Sequence, residues 1–415
     1  MHHIVVGAGP AGVAACRTLR DLDPSAKITL LGNEPEPPYS RMAIPFLLVE
    51  IINESGTYLH KAESYYLERK IDVIREAVTS VNTANKTVSL ANNQSLDYDR
   101  LLIATGSTPI QAPIPGIDLP GIHNCWTLAD ARAIIEHAKP DTSVVLVGAG
   151  FIGCIILEAL VKRGVRLTVI EREDRMVPRM MDATAGRLLQ RWCESKAVTV
   201  HTNTSVSGIE QTGKALAVSL DNGNTLEAGL VITAMGVKPN SGFLQGSEID
   251  LDQGILVDNY LETNKTDVFA AGDVAQGRDY TTGGFVVQAI QPTAVEHGRI
   301  TAKNMVKAKS VIHPGSLNMN VLDTLGLIST SFGQWMGLEG GDSAVLLDEE
   351  HYLYLNLQFN DDRLVGASSF GYTQHMGVVK GLISCRTPLG KWKQRLMEDP
   401  TRLMEAYLGA VQGVA

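Results

Sequence analysis

The stretch IVVGAGPAGVAACRTL, Ile4 to Leu19, decides the fold. Ile4–Val6 is a short apolar run of strand type, a glycine turn follows, and alanines then recur where a helix must lie close on a strand. Gly7, Gly9 and Gly12, with Pro10 and Ala11 between them, keep the spacing in which a tight turn brings a helix N-terminus against a pyrophosphate. The third glycine lets helix and strand pack closely. The next apolar run, Ile28–Leu31, completes a βαβ unit. Glu34, 22 positions beyond Gly12, is a candidate to accept from the hydroxyls of a bound ribose, the alternative being a solvated loop carboxylate.

A second copy of this plan begins at Ser143 with VVLVGAGFIGCIILEAL. Gly148, Gly150 and Gly153 repeat the spacing around Phe151 and Ile152, and the strand LTVIE ends at Glu171, 18 positions beyond Gly153. An acidic residue there accepts from the 2′-hydroxyl of NAD and repels the 2′-phosphate of NADP, so NADH is expected over NADPH. Arg172 follows directly and could instead swing in to bind a phosphate.

The remaining chain frames these two cores. Val73 to Asp99 alternates apolar and polar residues with asparagine-rich breaks, as does Val198 to Leu230, and each reads as a small antiparallel meander. LLIATGSTP, Leu101 to Pro109, is a buried strand ending in a glycine turn, and the four prolines between Pro109 and Gly121 suit a crossover between domains. QPTAVEHGRITAKNMV, Gln291 to Val306, is an amphipathic helix opened by a proline. From about Ser310 the chain turns to strands rich in Met and Leu, an alternating HYLYLNLQF and two helical stretches, with no nucleotide motif. The expected architecture is α/β: two Rossmann-like, three-layer dinucleotide-binding domains plus a C-terminal α+β domain.

Composition narrows the function. With 415 residues, 44% hydrophobic, the chain can bury a large core, and its 39 glycines exceed what ordinary turns require. The formal net charge of −9 argues against nucleic acid as a partner. Five cysteines (Cys16, Cys125, Cys154, Cys193, Cys385) stand at wide spacing with no CxxC, which points to a reducing cytoplasm and to core packing. The ten histidines form no metal-binding array, and the uncharged, apolar stretch Thr142–Leu157 is too short to span a membrane. The N-terminus enters a strand at once, so no targeting signal is expected.

The two glycine motifs, LLIATGSTP, VITAMGVKPN (Val231–Asn240) and VFAAGDVA with Asp273 occur in an order that resembles the two-dinucleotide-binding-domain flavoproteins, the pyridine nucleotide-disulfide oxidoreductase superfamily. The resemblance covers nearly all of residues 1–310. It implies FAD in the first core, NAD(P)H in the second, and a C-terminal domain that covers the flavin or forms a dimer interface. Domain bounds then follow as 1–113 with 245–310 for FAD, 114–244 for NAD(H), and 311–415 for the C-terminal domain. The resemblance also implies that Ala104, Thr105 and Gly106 form the turn passing FAD, with Gly236 at the matching turn of the second core. Gly272 and Asp273 would hold its ribityl and phosphate oxygens, and Val78 would supply a backbone contact to adenine. Pro292 and Thr293 would open the helix facing the flavin pyrimidine, where the positive end of a helix dipole favours reduced flavin. Asp273 also suits a helix N-cap, and Pro292 an ordinary first turn.

The branch of the superfamily decides the electron acceptor. Disulfide reductases of the glutathione and lipoamide type carry two cysteines a few residues apart after the FAD ribose loop, but here that region reads PPYSRMAIPFLL, Pro37 to Leu48. Alignment on Ile44-Pro45-Phe46 places Met42 where coenzyme A-disulfide reductases carry their single cysteine, and a thioether forms no thiolate or sulfenate. PYSR and QPTAVEHGRITAKNM resemble instead the non-thiol branch of rubredoxin and ferredoxin reductases and the flavin module of NADH nitrite reductases. Arg41 would then contact an FAD phosphate, unless it is a plain surface arginine. Many members pair a lysine after this segment with a glutamate in the second glycine helix. Here no lysine lies between Arg41 and His60, and Ile155 stands at the glutamate position. No side chain need act as acid or base, so none is named as catalytic; His297 lies on the helix facing the flavin and either approaches its ring or is a plain polar helix residue.

Between Arg363 and Met397 there is no acid, while Lys380, Arg386, Lys391, Lys393 and Arg395 accumulate. Such a patch would steer a small acidic electron carrier or a partner reductase subunit, or it is a solvated face or subunit contact. The expectation is an FAD-dependent NADH oxidoreductase that passes electrons to such a carrier. The alternatives are a flavoprotein subunit with little turnover of its own, an NADH oxidase, or a quinone reductase that uses the amphipathic Arg395–Val411 stretch at a membrane surface. A homodimer through the C-terminal domain is compatible with each.

Overall fold

A computed structural model describes residues 1–62 and 64–412. The chain divides into two compact units, Met1–Thr108 with Val237–Asp279 and Gly283–Ser316, and Pro109–Gly236 with Tyr280–Thr282 and Leu317–Ala415.

The first unit is built on five parallel strands in the order Val268–Ala270, Arg100–Ile103, His2–Val6, Lys27–Leu31 and Ile71–Ile74. Parallel strands covered on both faces need near-continuous apolar runs, and Ile4, Val5, Leu30, Leu101, Leu102 and Ile103 are wholly buried. Each such side chain contributes roughly 1.5–3 kcal/mol. The glycine-opened helix Pro10–Leu22 packs on the helix Gln291–Val306, whose limits match the sequence reading. Their approach is so close that a Cβ on Gly298 would lie 2.2 Å from the Ala11 carbonyl oxygen. A three-stranded antiparallel meander, Val78–Asn82, Thr87–Leu90 and Ser95–Asp97, packs against the sheet. It begins later than the alternating pattern implies, because Val73 belongs to the parallel edge strand Ile71–Ile74, paired with Lys27–Leu31.

The second unit repeats the plan, with parallel strands in the order Thr199–His201, Arg166–Ile170, Ser143–Val147, Leu230–Thr233 and Ile122–Asn124. Its meander is Val206–Thr212, Ala215–Leu220 and Thr225–Ala228. Val200 and Leu230, read as part of that meander, lie in the parallel sheet.

The same unit contains a five-stranded antiparallel sheet in the order Met319–Thr324, Leu327–Gly333, Arg363–Phe370, Leu353–Asn360 and Asp342–Asp348. One face, with Phe332, Leu355, Leu357 and Phe359, is covered by the helices Met376–Ser384, Lys391–Glu398 and Leu403–Gln412. The strand Leu353–Asn360 alternates in sequence yet is buried on both faces. Its polar side chains find partners: Tyr354 and Asn356 donate to Asp182, the N-cap of the helix Ala183–Ser195, and Gln358 donates to Asn356 at 2.8 Å. Trp192 Nε1 donates to the Thr324 carbonyl at 3.0 Å, and Leu325 N–H to Glu158 at 3.1 Å. The helices of the second nucleotide core thus cover the polar face of this sheet.

The C-terminal amphipathic stretch is broken at Asp399–Pro400, where Asp399 accepts from both the N–H and the hydroxyl of Thr401. Leu403 and Ala406 of the last helix lie in the core of this unit, so that part of the apolar face is already covered. Among the described residues, no helix is long and apolar enough to cross a membrane.

Candidate functional site

The two glycine turns are built alike, and each glycine has a separate reason. A Cβ on Gly7 would lie 2.0 Å from the Ala104 carbonyl oxygen, and one on Gly148 would lie 2.5 Å from that of Ala234. Both adopt φ values closed to ordinary side chains, +117° and +105°. A Cβ on Gly12 would be 1.9 Å from the Gly7 oxygen, and one on Gly153 would be 2.1 Å from the Gly148 oxygen. Gly9 and Gly150 differ from these, since a Cβ on either would meet nothing within 4 Å. They open onto free space at helix starts that carry neither a side-chain cap nor an acid in the first turn. The unpaired N–H groups of such a turn favour an anion. This arrangement fits the pyrophosphate of a dinucleotide at both places.

The acids differ between the copies. Glu171 directly follows the strand Arg166–Ile170, and its buried carboxylate accepts from the Ala149 N–H at 2.7 Å and the Glu173 N–H at 2.9 Å. Arg172 turns away onto Glu173 at 2.9 Å. The corresponding residue of the first copy is Gly32, because Gly32 N–H bonds the Ile74 carbonyl as Glu171 N–H bonds that of His201. Gly32 faces Ala8, and the acid comes two residues later, at Glu34. Glu34 pairs with Arg41 at 2.7 Å and accepts from the Tyr39 hydroxyl at 2.5 Å. The structure therefore brings Glu34 and Arg41 together.

The other first-unit candidates converge beside this turn. Ala104, Thr105 and Gly106 form a turn clamped by Asn240, whose side-chain amide donates to the Thr105 carbonyl and whose own carbonyl accepts from the Thr105 hydroxyl. Gly106 sits at φ +67° and its counterpart Gly236 at +100°. Gly272, at φ +74°, is wedged against Ala11 and Ala294. Asp273 accepts from the Ser107 hydroxyl at 3.0 Å. Burial pushes its carboxyl pKa up, opposed by that hydrogen bond and by the charge of Arg41. Pro292 and Thr293 stand in the first turn of their helix, and the Ser40 hydroxyl donates to Gln291 at 2.5 Å just before them. Val78 opens the meander opposite Leu90, its side chain against the core. Phe151 and Ile152, like Pro10 and Ala11, are the first residues of the glycine-opened helices.

Ser107 and Asn240 lie within the quoted strings LLIATGSTP and VITAMGVKPN, but their partners are 166 and 135 positions away and no local pattern names them. His297 is buried and bonded to the Gly272 turn, a place its polar helix context did not reveal.

No cysteine stands between Cys16 and Cys125, and Met42 occupies the turn Arg41–Ala43 with its side chain exposed. Burial pushes the thiols of Cys16, Cys125 and Cys193 up to about 12, and that of Cys154 well above its ordinary value. None of these four is a thiolate near neutral pH. The basic patch is less free than its sequence: Lys393 is paired with Asp342 at 2.6 Å, while Arg386 and Arg395 lie over the rings of Tyr280 and Trp392. Lys380 and Lys391 are exposed.

A family model described as pyridine nucleotide-disulphide oxidoreductase matches residues 1–298. The chain belongs to this family. As a member it is an oxidoreductase that works with FAD and a pyridine nucleotide. It is similar to the NADH-dependent phenylglyoxylate dehydrogenase subunit epsilon of Aromatoleum evansii, 30% identical over 96% of this chain and 95% of the relative. The ferredoxin–NAD(+) reductase component of the biphenyl dioxygenase system of Paraburkholderia xenovorans is 33% identical over 65% of this chain and 66% of its own length. The fold matches a solved covalent putidaredoxin reductase–putidaredoxin complex with a TM-score of 0.90, at 23% identity, covering 99% of this chain and 98% of that one.

Proposed function

We propose that this protein is an NADH:acceptor oxidoreductase that passes electrons to a small acidic electron-carrier protein without a redox-active cysteine. The first glycine turn, with Gly7, Gly9 and Gly12, holds FAD together with Glu34, Arg41, Val78, the Ala104–Gly106 turn, Gly272, Asp273, Pro292 and Thr293. The second turn, with Gly148, Gly150, Gly153 and Gly236, holds NADH. The observation that carries the reading is the pair of open glycines, Gly9 and Gly150, in two turns whose other glycines are closed by the same kinds of contact, of which only the second has a buried acid on its loop.

FAD, when bound, accepts a hydride from a nicotinamide and releases electrons singly or in pairs. The chain's own residues bind and orient. The Glu171 carboxylate accepts from two N–H groups and leaves lone pairs for a ribose 2′-hydroxyl, which disfavours a 2′-phosphate. Asp273, in place through Ser107, accepts from a ribityl hydroxyl. Arg41 balances the charge of Glu34 and approaches a phosphate. Ile155, in place of a glutamate, leaves the wall apolar.

The domain bounds 1–113 with 245–310, 114–244 and 311–415 belong to this reading, as do a homodimer through the C-terminal domain and a cytoplasmic site of action. The similarity to a dehydrogenase epsilon subunit over 95% of its length supports a second reading, a flavoprotein subunit that delivers electrons within a larger complex. Anaerobic reduction by NADH followed by a panel of acceptors separates them. Turnover of a free ferredoxin- or rubredoxin-type carrier is expected for the first reading. Reduction of the flavin with no turnover of any carrier, quinone or oxygen refutes it in favour of the second.

A further inference from the structure

Beneath the Gly272–Asp273 turn lies a buried chain of hydrogen bonds that neither glycine motif accounts for. His297 Nδ1 accepts the Gly272 N–H at 3.4 Å, a long bond but the partner the structure gives that buried donor. His297 Nε2 is 3.0 Å from Ser316 Oγ, and His313 Nε2 is 3.1 Å from the same oxygen. The two imidazoles meet edge to face with centroids 4.8 Å apart. His297, Ser316 and His313 are all buried.

The direction of the chain follows from its first member. An amide N–H can only donate, so Nδ1 of His297 must be unprotonated and the ring proton sits on Nε2, which donates to Ser316. The serine hydroxyl then donates to Nε2 of His313, the second of its two partners. The far end is fixed by backbone, since His313 N–H donates to Asn259 at 2.7 Å and Ser316 N–H to Arg278 at 2.9 Å. Gly298, next along the helix, marks how closely this helix lies on the one opened by Gly9, because a Cβ there would strike the Ala11 carbonyl. The Gly272 turn is thus held by Ala11 and Ala294 from its sides and by His297 from below.

We infer that His297 is a positioning residue: as the neutral Nε2–H tautomer it ties the Gly272 N–H through Ser316 to His313, and so fixes where Asp273 presents its carboxylate to FAD. The inference rests on the reading that this turn faces FAD. On this inference the effect of His297 reaches the flavin through the Gly272 backbone amide.

Two substitutions divide the roles of the two ring nitrogens. In His297→Asn the side-chain oxygen takes the place of Nδ1 and keeps the acceptor for Gly272. In His297→Gln the amide nitrogen takes the place of Nε2 and keeps only the donor to Ser316. FAD dissociation constant, flavin midpoint potential and thermal midpoint are measured on the full chain for both variants and for Ser316→Ala. The expected result is that His297→Gln weakens FAD about five- to tenfold, the worth of one buried hydrogen bond, and shifts the potential. His297→Asn stays within about twofold at a similar thermal midpoint, and Ser316→Ala falls between them. Equal behaviour of the Asn and Gln variants, or losses that only follow thermal stability, overturns the inference while FAD binding by the wild type stands. A wild-type chain that binds no FAD overturns the reading of the turn itself, and this inference with it.

Discussion

Gly150 and Gly153 sit three residues apart in one turn, yet alanine at each should fail in a different way. Gly150 has φ −72° and ψ −172°, a conformation open to any residue, and its added methyl would meet no atom within 4 Å. Gly150→Ala should therefore leave the fold intact, or stabilise it by about 0.4–1 kcal/mol through a less flexible unfolded chain. The methyl would occupy the space a pyrophosphate must enter to reach the first-turn N–H groups. Loss of one charge-assisted hydrogen bond costs about 1.5–3 kcal/mol, so NADH affinity should fall roughly tenfold to 150-fold. Gly153→Ala places its methyl 2.1 Å from the Gly148 carbonyl oxygen, which only movement of the helix against its strand can relieve. That overpacking should cost about 1–3 kcal/mol of stability. Thermal midpoints and the NADH dependence of flavin reduction, measured on both variants, separate the two effects. Unchanged NADH affinity in Gly150→Ala would refute the assignment of the second turn. A fall in stability as large as that of Gly153→Ala would refute the geometry.

Removing the Glu171 carboxylate in Glu171→Ala should raise the KM for NADH about tenfold and narrow the preference over NADPH, measured as the ratio of kcat/KM values; an unaltered ratio would contradict the ribose role. Charge reversal of the exposed pair, Lys380→Glu with Lys391→Glu, should slow reduction of an acidic carrier and flatten its salt dependence, whereas Lys393→Glu should do less because Asp342 already neutralises Lys393. Equal effects at all three sites would contradict the patch as described. His297 and His3 are held neutral by burial, their pKa values lowered to about 3 and about 4 from 6.5. The unfolded chain binds more protons between those values and 6.5, so stability should fall as pH drops through that window. Each histidine adds up to about 1.4 kcal/mol per pH unit. Denaturant unfolding near pH 7 and near pH 5 should show a smaller difference in His297→Asn, and an unchanged difference would contradict the burial of a neutral ring.

Both nucleotide cores were legible because parallel strands buried on two faces must be written as apolar runs, and because two of the three glycines in each following turn, Gly7 and Gly12 or Gly148 and Gly153, leave no room for a side chain. The same rule misled at Val73, where the short edge strand Ile71–Ile74 has an exposed Asp72 and reads as alternating. Glu171 stands next to its strand and could be assigned by counting, but Glu34 lies two residues deeper in a loop whose course depends on Tyr39 and Arg41. Charge could be counted along the C-terminal segment but not across it, so the pairing of Lys393 with Asp342, 51 positions away, was out of reach. The alternation of the strand Leu353–Asn360 implied one solvated face. That face is covered because Tyr354 and Asn356 find Asp182 on a helix 172 positions earlier.

Two-electron flavin chemistry without a thiol partner can be read out by an anaerobic titration of the FAD-loaded protein with NADH. One equivalent of NADH per flavin should bleach the visible flavin absorption completely, with no further uptake. A second equivalent consumed before the end point would reveal an additional two-electron centre such as a disulfide, and failure of NADH to bleach the flavin at all would contradict the assignment of the second turn; either result would overturn the account.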